Sequence, residues 1–245
     1  MDVVGDLLAR DRRSRDIALV TADGRERTYH DLITNAYKAA NVLRYLGARE
    51  GSTVAVEPTP RLHTTLAFLG AAGLGAAVRF DPDAGIAAGD RVVLVDVADE
   101  ERTDPAPGTN LAVFDGPPER AETTHWEQDL WSENPGMPPS SVESTDPLVR
   151  DADRDVSHAD VLSAAASVIE AHDIDEETRV VLRGSFATVG AVTAGIVAPL
   201  AAGGTVVLTD PSGTDGDARG DLAVVAEGQE TAPEARSVPV ADVFR

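Results

Sequence analysis

Two short apolar runs flanking a stretch of helical spacing, all between Thr21 and Pro82, restrict the fold more than any other feature of the chain. Thr53–Val56 and Ala76–Phe80 have the length and residue types of buried strands. Between them, Thr59 and Pro60 open a predicted helix that runs through Leu62, Leu66 and Leu69. Ahead of the first run, Thr28 with Asp31 three residues on has the spacing of a capping box. Leu32, Ile33, Ala36, Ala40, Leu43 and Leu46 then recur at helical spacing, and Gly47 stands where a C-terminal cap is needed. Strand, helix, strand is an α/β building block, because two parallel strands need a crossover of about a dozen residues or more to join them.

The same alternation continues. Residues 1–16 read as a short helix with Val3, Val4, Leu7 and Leu8 on one side, and Ile17–Val20 with the Gly24 turn as a strand or hairpin arm. After a Gly/Ala/Asp connector beyond Pro82, Arg91–Val95 and Leu111–Phe114 are apolar runs typical of central parallel strands. Residues 96–110 between them are a loop or a short polar helix. Residues 115–147 have little periodicity and many turn formers, and read as the connection between subdomains, with Trp126 and Trp131 as packing anchors. Ser157 with Asp160 gives a second capping signal, followed by Val161, Leu162, Ala165, Val168 and Ile169. Thr178–Leu182 is a strand, Phe186–Leu200 an alanine-rich helix, Thr205–Leu208 a strand, residues 211–221 a polar turn and Leu222–Ala226 a last strand. The expected organisation is an α/β fold of layered, mostly parallel sheets with flanking helices. Its segments are 1–114 (first subdomain), 115–147 (irregular connection), 148–228 (second subdomain) and 229–245 (weakly ordered tail).

Charge narrows the function classes. The formal net charge is −21 over 245 residues, and Lys38 is the one lysine in the sequence. Nucleic-acid binding needs a basic footprint and is not expected. Disorder is disfavoured by the apolar periodicity and a hydrophobic content of 42%. Many Asp and Glu with almost no Lys resembles the proteins of salt-loving archaea, whose hydrated surfaces work where repulsion is screened. The absence of cysteine removes disulfides and thiol chemistry. No signal-peptide core and no apolar run of membrane-spanning length is present, so a cytoplasmic protein without a membrane span is expected.

Three pieces of the opening stretch occur in an order that resembles the acyl-adenylate-forming superfamily, the AMP-dependent synthetases and ligases that include acyl-CoA synthetases. A "TY-x-EL" helix start matches Thr28-Tyr29-His30-Asp31-Leu32. An "LGA-x-x-GD-x-VA" turn matches Leu46-Gly47-Ala48 with Gly51-Ser52-Thr53-Val54-Ala55, and "LG-x-x-x-x-GA" matches Leu69-Gly70 with Gly75-Ala76. Further on, Ser157-His158 through Leu162 resembles the "SH-x-N-x-x" helix start. Ala198–Leu208 resembles "PL-x-x-GG-x-x-VL". The resemblance spans roughly residues 17 to 210 and implies a truncated, divergent member, N-terminal part only.

The chemistry is not carried over with the scaffold. Between Pro147 and Ser157, where that family has a phosphate loop rich in Ser, Thr and Gly and ending in Pro-Lys-Gly, stands LVRDADRDV. It has no glycine and no lysine, and Asp146, Asp151, Asp153 and Asp155 oppose a polyphosphate that Arg150 and Arg154 only partly favour. The resemblance also implies a later acidic Mg²⁺ ligand, a ribose-binding aspartate and a mobile domain with a catalytic lysine, and no counterparts to these follow Asp210. No catalytic residue is therefore assigned.

Other candidates are weaker. Gly184, Ser185, Thr188 and Gly190 lie in a turn that follows a strand and opens a helix, so its N–H groups are candidates for cofactor binding, although neither a P-loop nor a dinucleotide fingerprint is present. A tight strand-to-helix turn is the simpler reading. His172 with Asp173 and Asp175 reads as a solvated helix cap rather than a metal site, and none is assigned. His30, His63, His125 and His158 are scattered, and His158 reads as a first-turn helix residue.

Three functions remain open. One is a degenerate, synthetase-like pseudoenzyme acting through a protein partner or a retained small-molecule pocket. Another is the N-terminal portion of an AMP-forming acid–CoA ligase completed by another chain. The third is a small-molecule-binding regulatory protein. By resemblance, ATP, AMP and CoA are the ligands to consider. A common cleft between residues 148–156 and the Gly184 turn would favour ligand binding.

Overall fold

The chain enters through a hairpin, β1 (Ile17–Val20) and β2 (Glu26–Thr28), preceded by two 3-10 turns at Val4–Leu8 and Arg10–Arg12. These turns replace the short helix expected over residues 1–16. A cap at their start is made by Asp6, whose carboxylate accepts from the N–H of Asp2 at 2.7 Å and of Val3 at 3.1 Å. Helix α1 (Tyr29–Tyr45) then begins where Thr28 and Asp31 close a reciprocal capping box. β3 (Thr53–Val56), α2 (Leu62–Leu74) and β4 (Ala77–Arg79) complete the predicted unit. Helix α2 starts later than Thr59 and Pro60 suggest, because the Thr64 hydroxyl holds that segment as a turn, donating to the Thr59 carbonyl at 2.6 Å and accepting from the Arg61 N–H at 3.0 Å.

The computed structural model describes residues 1–81, 89–151, 154–210, 218–226, 228 and 232–245. The connector after Pro82, Asp153 and the first part of the polar turn from Pro211 lie outside these. The strands β5 (Asp90–Asp96), β6 (Asn110–Phe114) and β7 (Thr124–His125) follow, with a 3-10 turn at Val97–Asp99. Helix α3 (Trp126–Ser132) falls in the stretch expected to be irregular. Trp126 is fully buried and anchors it, whereas Trp131 is 51% exposed. β8 (Pro147–Arg150) and β9 (Asp155–Ser157) lead into α4 (His158–His172), capped by Ser157 and Asp160 as predicted.

β10 (Arg179–Arg183) is followed by a continuous helical segment: α5 (Val189–Val192), a π turn (Thr193–Val197) and α6 (Ala198–Ala202). Its start is set by Thr188, whose hydroxyl accepts from the Ala191 N–H, and so lies beyond the expected Phe186. β11 (Thr205–Leu208) and β12 (Leu222–Val225) are close to the predicted positions. β13 (Arg236–Pro239), in the region expected to be weakly ordered, pairs in parallel with β12.

Two sheets result, of order β7-β6-β5-β3-β4-β8-β9 and β13-β12-β10-β11-β1-β2. Pairing is parallel except in the β1–β2 and β8–β9 hairpins. Alternate residues of both sheets, such as Val54, Val92 and Leu94 in one and Val180, Leu182 and Val206 in the other, join α1, α2, α4 and the 189–202 helix in one shared core. Helix α1 packs on β1 and β2 and helix α2 on β3 and β4, while α1 and α2 pack on each other. The helices thus lie between the sheets, and the carboxyl ends of the central strands come together at one edge of that interface. No helix among the described residues is long and apolar enough to cross a membrane.

Candidate functional site

In open parallel sheets, ligands settle in crevices beyond the carboxyl ends of the strands, where backbone turns are free to vary. Here the turns after β3, β4 and β8 of one sheet and β10 of the other meet around a cleft of about 240 Å³. Pro58 follows β3, Phe80 and Asp81 follow Arg79 at the end of β4, Asp151 follows Val149 and Arg150 of β8, and Ala187 and Val189 come from the turn after β10. Val149–Asp151 of the 148–156 segment and Ala187 and Val189 of the Gly184–Gly190 turn therefore line a common cleft.

One aromatic ring, that of Phe80, lines this cleft, backed by two more in the core. Phe80 and Phe186 meet edge to face at 5.5 Å, and Phe68 lies behind Phe80 at 6.0 Å. Both Phe80 and Phe186 are buried. The rim is charged and mixed in sign. Arg79 pairs with the buried Asp90 at 2.6 Å and donates to the Asp81 carbonyl. Arg150 reaches the Gly51 carbonyl at 3.5 Å, while its Nε is buried without a hydrogen-bond partner. Asp81 and Asp151 stand beside these two arginines, so the rim is close to neutral instead of positive.

The two turns differ from a phosphate cradle in how they use their N–H groups. The Asp151 N–H donates across the β8–β9 turn to the Arg154 carbonyl at 3.0 Å. After β10, the Phe186 N–H donates to the Pro58 carbonyl at 2.7 Å, and the Ala187 N–H donates to the Ser185 hydroxyl at 2.9 Å. Among the four candidate binding residues, Ser185 donates to the Pro58 carbonyl at 3.1 Å and Thr188 caps the helix. Gly184 lies against Ala226. Gly190 lies against the Val240 backbone, where a Cβ would fall 2.3 Å from the carbonyl oxygen. Ser185 and Thr188 are exposed, but the cleft is lined by Ala187 and Val189, on either side of Thr188.

The histidines divide by environment. His158 is fully buried, its Nδ1 accepting from the Val4 N–H at 3.1 Å. Burial pushes its pKa down to about 4, against the opposing pull of Asp146 and Asp6. It is thus a neutral anchor for the N-terminal turn. Asp173 closes α4 in the left-handed conformation, and Asp175 accepts from the Thr178 hydroxyl at 2.7 Å and the Glu177 N–H at 3.1 Å. Those bonds, Thr178 first, hold the Asp175 carboxyl below its usual range. This is a helix cap followed by a turn, in line with the simpler reading of the His172 segment.

Sequence reasoning missed Arg79 and Phe80 as site residues. An arginine closing an otherwise apolar strand was the available signal.

No protein-family model matches the sequence, and no curated protein matches it. Solved structures do. The anthranilate CoA ligase AuaEII in complex with anthranoyl-AMP is similar over 91% of this chain and 49% of its own, with a TM-score of 0.76 and 17% identity. MatB from Rhodopseudomonas palustris is similar over 91% and 49%, with a TM-score of 0.71 and 16% identity. The N-terminal domain of FACL13 from Mycobacterium tuberculosis is similar over 92% and 63%, with a TM-score of 0.73 and 20% identity. The chain spans about half the length of the first two structures. Its fold is that of the N-terminal part of these ligases, as the sequence resemblance implies.

Proposed function

We propose that this chain is a small-molecule-binding module on the N-terminal scaffold of an AMP-forming acyl-CoA ligase, degenerate in its phosphate loop and without adenylation activity of its own. The observation that carries the reading is the cleft between Val149–Asp151 and Ala187–Val189. Its position suits a ligand, but its composition does not suit triphosphate. Adenylation relies on electrostatic stabilisation of phosphoryl charge by preorganised donors. The segment that would supply them carries aspartates, and the nearby N–H groups of Asp151, Phe186 and Ala187 are already engaged. At about 240 Å³ the cleft is also smaller than the roughly 300–1,000 Å³ of ordinary ligand pockets. A fragment with an apolar body and one polar end matches the Phe80 ring and Arg150 better than a nucleotide.

The test is ATP-dependent hydroxamate formation or AMP release with a panel of carboxylic acids in concentrated KCl. No turnover is expected, and robust turnover by the isolated chain overturns the reading. Calorimetry with ATP, AMP, CoA and acyl-CoA then separates a ligand-binding module from one that acts only on a protein partner.

A second reading is favoured by one observation: the scaffold is kept over nearly the whole chain while covering about half of the solved ligases. On that reading the chain is the N-terminal portion of an acid–CoA ligase and another chain completes the site. Co-purification of a lysine-bearing partner that restores turnover supports it. A chain that purifies alone and stays inactive with candidate partners counts against it.

A further inference from the structure

We propose that His63, Glu127 and Asp115, with His125 beside them, form a binding site for one divalent transition-metal ion, zinc being the ion that suits this donor set. The site lies apart from the cleft, at the carboxyl end of β6. His63 comes from the first turn of α2, Asp115 directly follows β6, His125 ends β7 and Glu127 is in the first turn of α3. One ligand atom each from His63, Asp115 and Glu127 lies within 4.8 Å of the others. The His63 Nε2 is 3.6 Å from one Glu127 oxygen, and the His125 Nε2 is 3.6 Å from the other. Nitrogen and oxygen ligands at about 2.0–2.2 Å from a tetrahedral ion stand roughly 3.3–3.6 Å apart. The side chains are therefore close to coordinating separations already, and imidazole with carboxylate is a donor set that zinc accepts.

A second observation points the same way. The Glu127 Oε2, the oxygen that faces the His125 Nε2, is buried without a hydrogen-bond partner. A carboxylate oxygen removed from water without a donor is costly, and a cation removes that cost. Glu127 is held in place from its other oxygen, which accepts from the Asp115 N–H at 2.6 Å. That contact fixes Asp115 in the left-handed conformation at φ 64°. The His63 ring is held by Phe114, 5.8 Å away between centroids.

The surrounding charge favours a cation. Arg61 pairs with Asp115 and lies 3.7 Å from Asp96, whose N–H donates to Glu57 at 2.7 Å, so three carboxylates and Glu127 share this end of the sheet with that one guanidinium. Arg61 therefore competes with an ion for Asp115 and keeps Asp96 as its alternative partner. His63 and Glu127 are not engaged by it and form the ligand set together with Asp115, with His125 beside Glu127. Their positions in sequence, on three separate elements, carry no ligand spacing, which is why the sequence alone assigns no metal.

The experiment is calorimetric titration of the EDTA-treated full chain with ZnCl2, in concentrated KCl with excess MgCl2 to occupy surface carboxylates. One equivalent of zinc is expected, with His63→Phe and Glu127→Gln each weakening binding by at least about tenfold. His63→Phe keeps an aromatic ring against Phe114, so the fold is retained while the ligand is lost. His172→Ala, at the far cap, leaves the affinity unchanged. Should Glu127→Gln fail to fold, His125→Ala reports on the same ion and is expected to weaken it. A cobalt-loaded sample gives a second readout through the visible bands of a low-coordinate site. Absence of zinc uptake, or uptake that survives His63→Phe and the second variant unchanged, overturns the proposal.

Discussion

The Phe186 N–H donates to the carbonyl of Pro58 at 2.7 Å, joining the turn that leaves β10 in one sheet to the turn that leaves β3 in the other. The Ser185 hydroxyl reaches the same carbonyl, and the Phe186 ring meets Phe80 below it. The two sheets are thus fastened at the back wall of the cleft, where main-chain bonds and aromatic packing coincide.

Removal of that ring tests the fastening. Phe186 is 1% exposed. Phe186→Ala is expected to cost about 3–5 kcal/mol, the range for emptying an aromatic site in a packed core. A shift of the urea midpoint measures it. A loss under about 1 kcal/mol means the sheets are held together elsewhere.

A second test concerns the crossing of α1 and α2. A Cβ on Gly70 would stand 2.8 Å from the Ala40 nitrogen and 3.1 Å from the Ala36 carbonyl oxygen, both backbone atoms of α1. Neither can rotate away, so Gly70→Ala must push the helices apart and is expected to cost about 1–3 kcal/mol despite the better helix propensity of alanine. Thermal unfolding checks it, and an unchanged or raised midpoint contradicts so close a contact.

Acid sensitivity should trace in part to His158. Its folded-state pKa of about 4 lies below the ordinary imidazole value of 6.5, so the native state binds fewer protons than the unfolded state between those values. Stability accordingly rises with pH across that window and is fully present above it. Between pH 7 and pH 5 the loss from this one group is about 2 kcal/mol. His158→Leu is less stable at pH 7, because the Val4 N–H loses its acceptor, yet its profile between pH 7 and pH 5 should be flatter than the wild type's. Parallel profiles for the two proteins assign the sensitivity to other groups.

The C-terminal segment is tied down by an ion pair. Arg183 at the end of β10 meets Glu234 at 2.6 Å, with the Glu234 side chain fully buried. Burial, the largest single influence, works to raise the Glu234 pKa, but the hydrogen bond from Arg183, a backbone hydrogen bond and the charges of Arg183 and Arg219 together outweigh it and the net shift is downward. Glu234→Ala is expected to cost about 3–5 kcal/mol, since it breaks a buried pair from one side. Limited proteolysis should show earlier cleavage near β13. Unaltered cleavage and stability would mean that the pair holds nothing in place.

Much of the scaffold was legible because it is written in local signals. Thr28 with Asp31 and Ser157 with Asp160 start their helices where expected, and Gly47 takes the left-handed conformation just past α1. Strands buried on both faces read as continuous apolar runs, as in Thr53–Val56 and Leu111–Phe114. Helix α3 escaped because it is seven residues long and mostly polar, and owes its place to Trp126 and Leu130 in the core. β13 escaped because Arg236–Pro239 gains its order from pairing with β12 and has little apolar pattern of its own. The cleft was half legible. Arg150 and Asp151 stand in a segment whose departure from a phosphate loop can be read directly. Arg79 and Phe80 become neighbours of Ala187 only when the sheets are brought together.

The pairing of β1 with β11, Leu19 beside Val206 and Val20 beside Val207, imposes a timetable on synthesis. Every strand of the seven-stranded sheet lies between Thr53 and Ser157, so that sheet can assemble before translation reaches β10 at Arg179. The β1–β2 hairpin is made before all of these strands and has no further strand beside it until Leu208 has left the ribosome. Two strands alone are marginal in water. The hairpin is therefore made early and joined to its sheet late, and a nascent chain stalled before Thr205 carries it without its β11 partner.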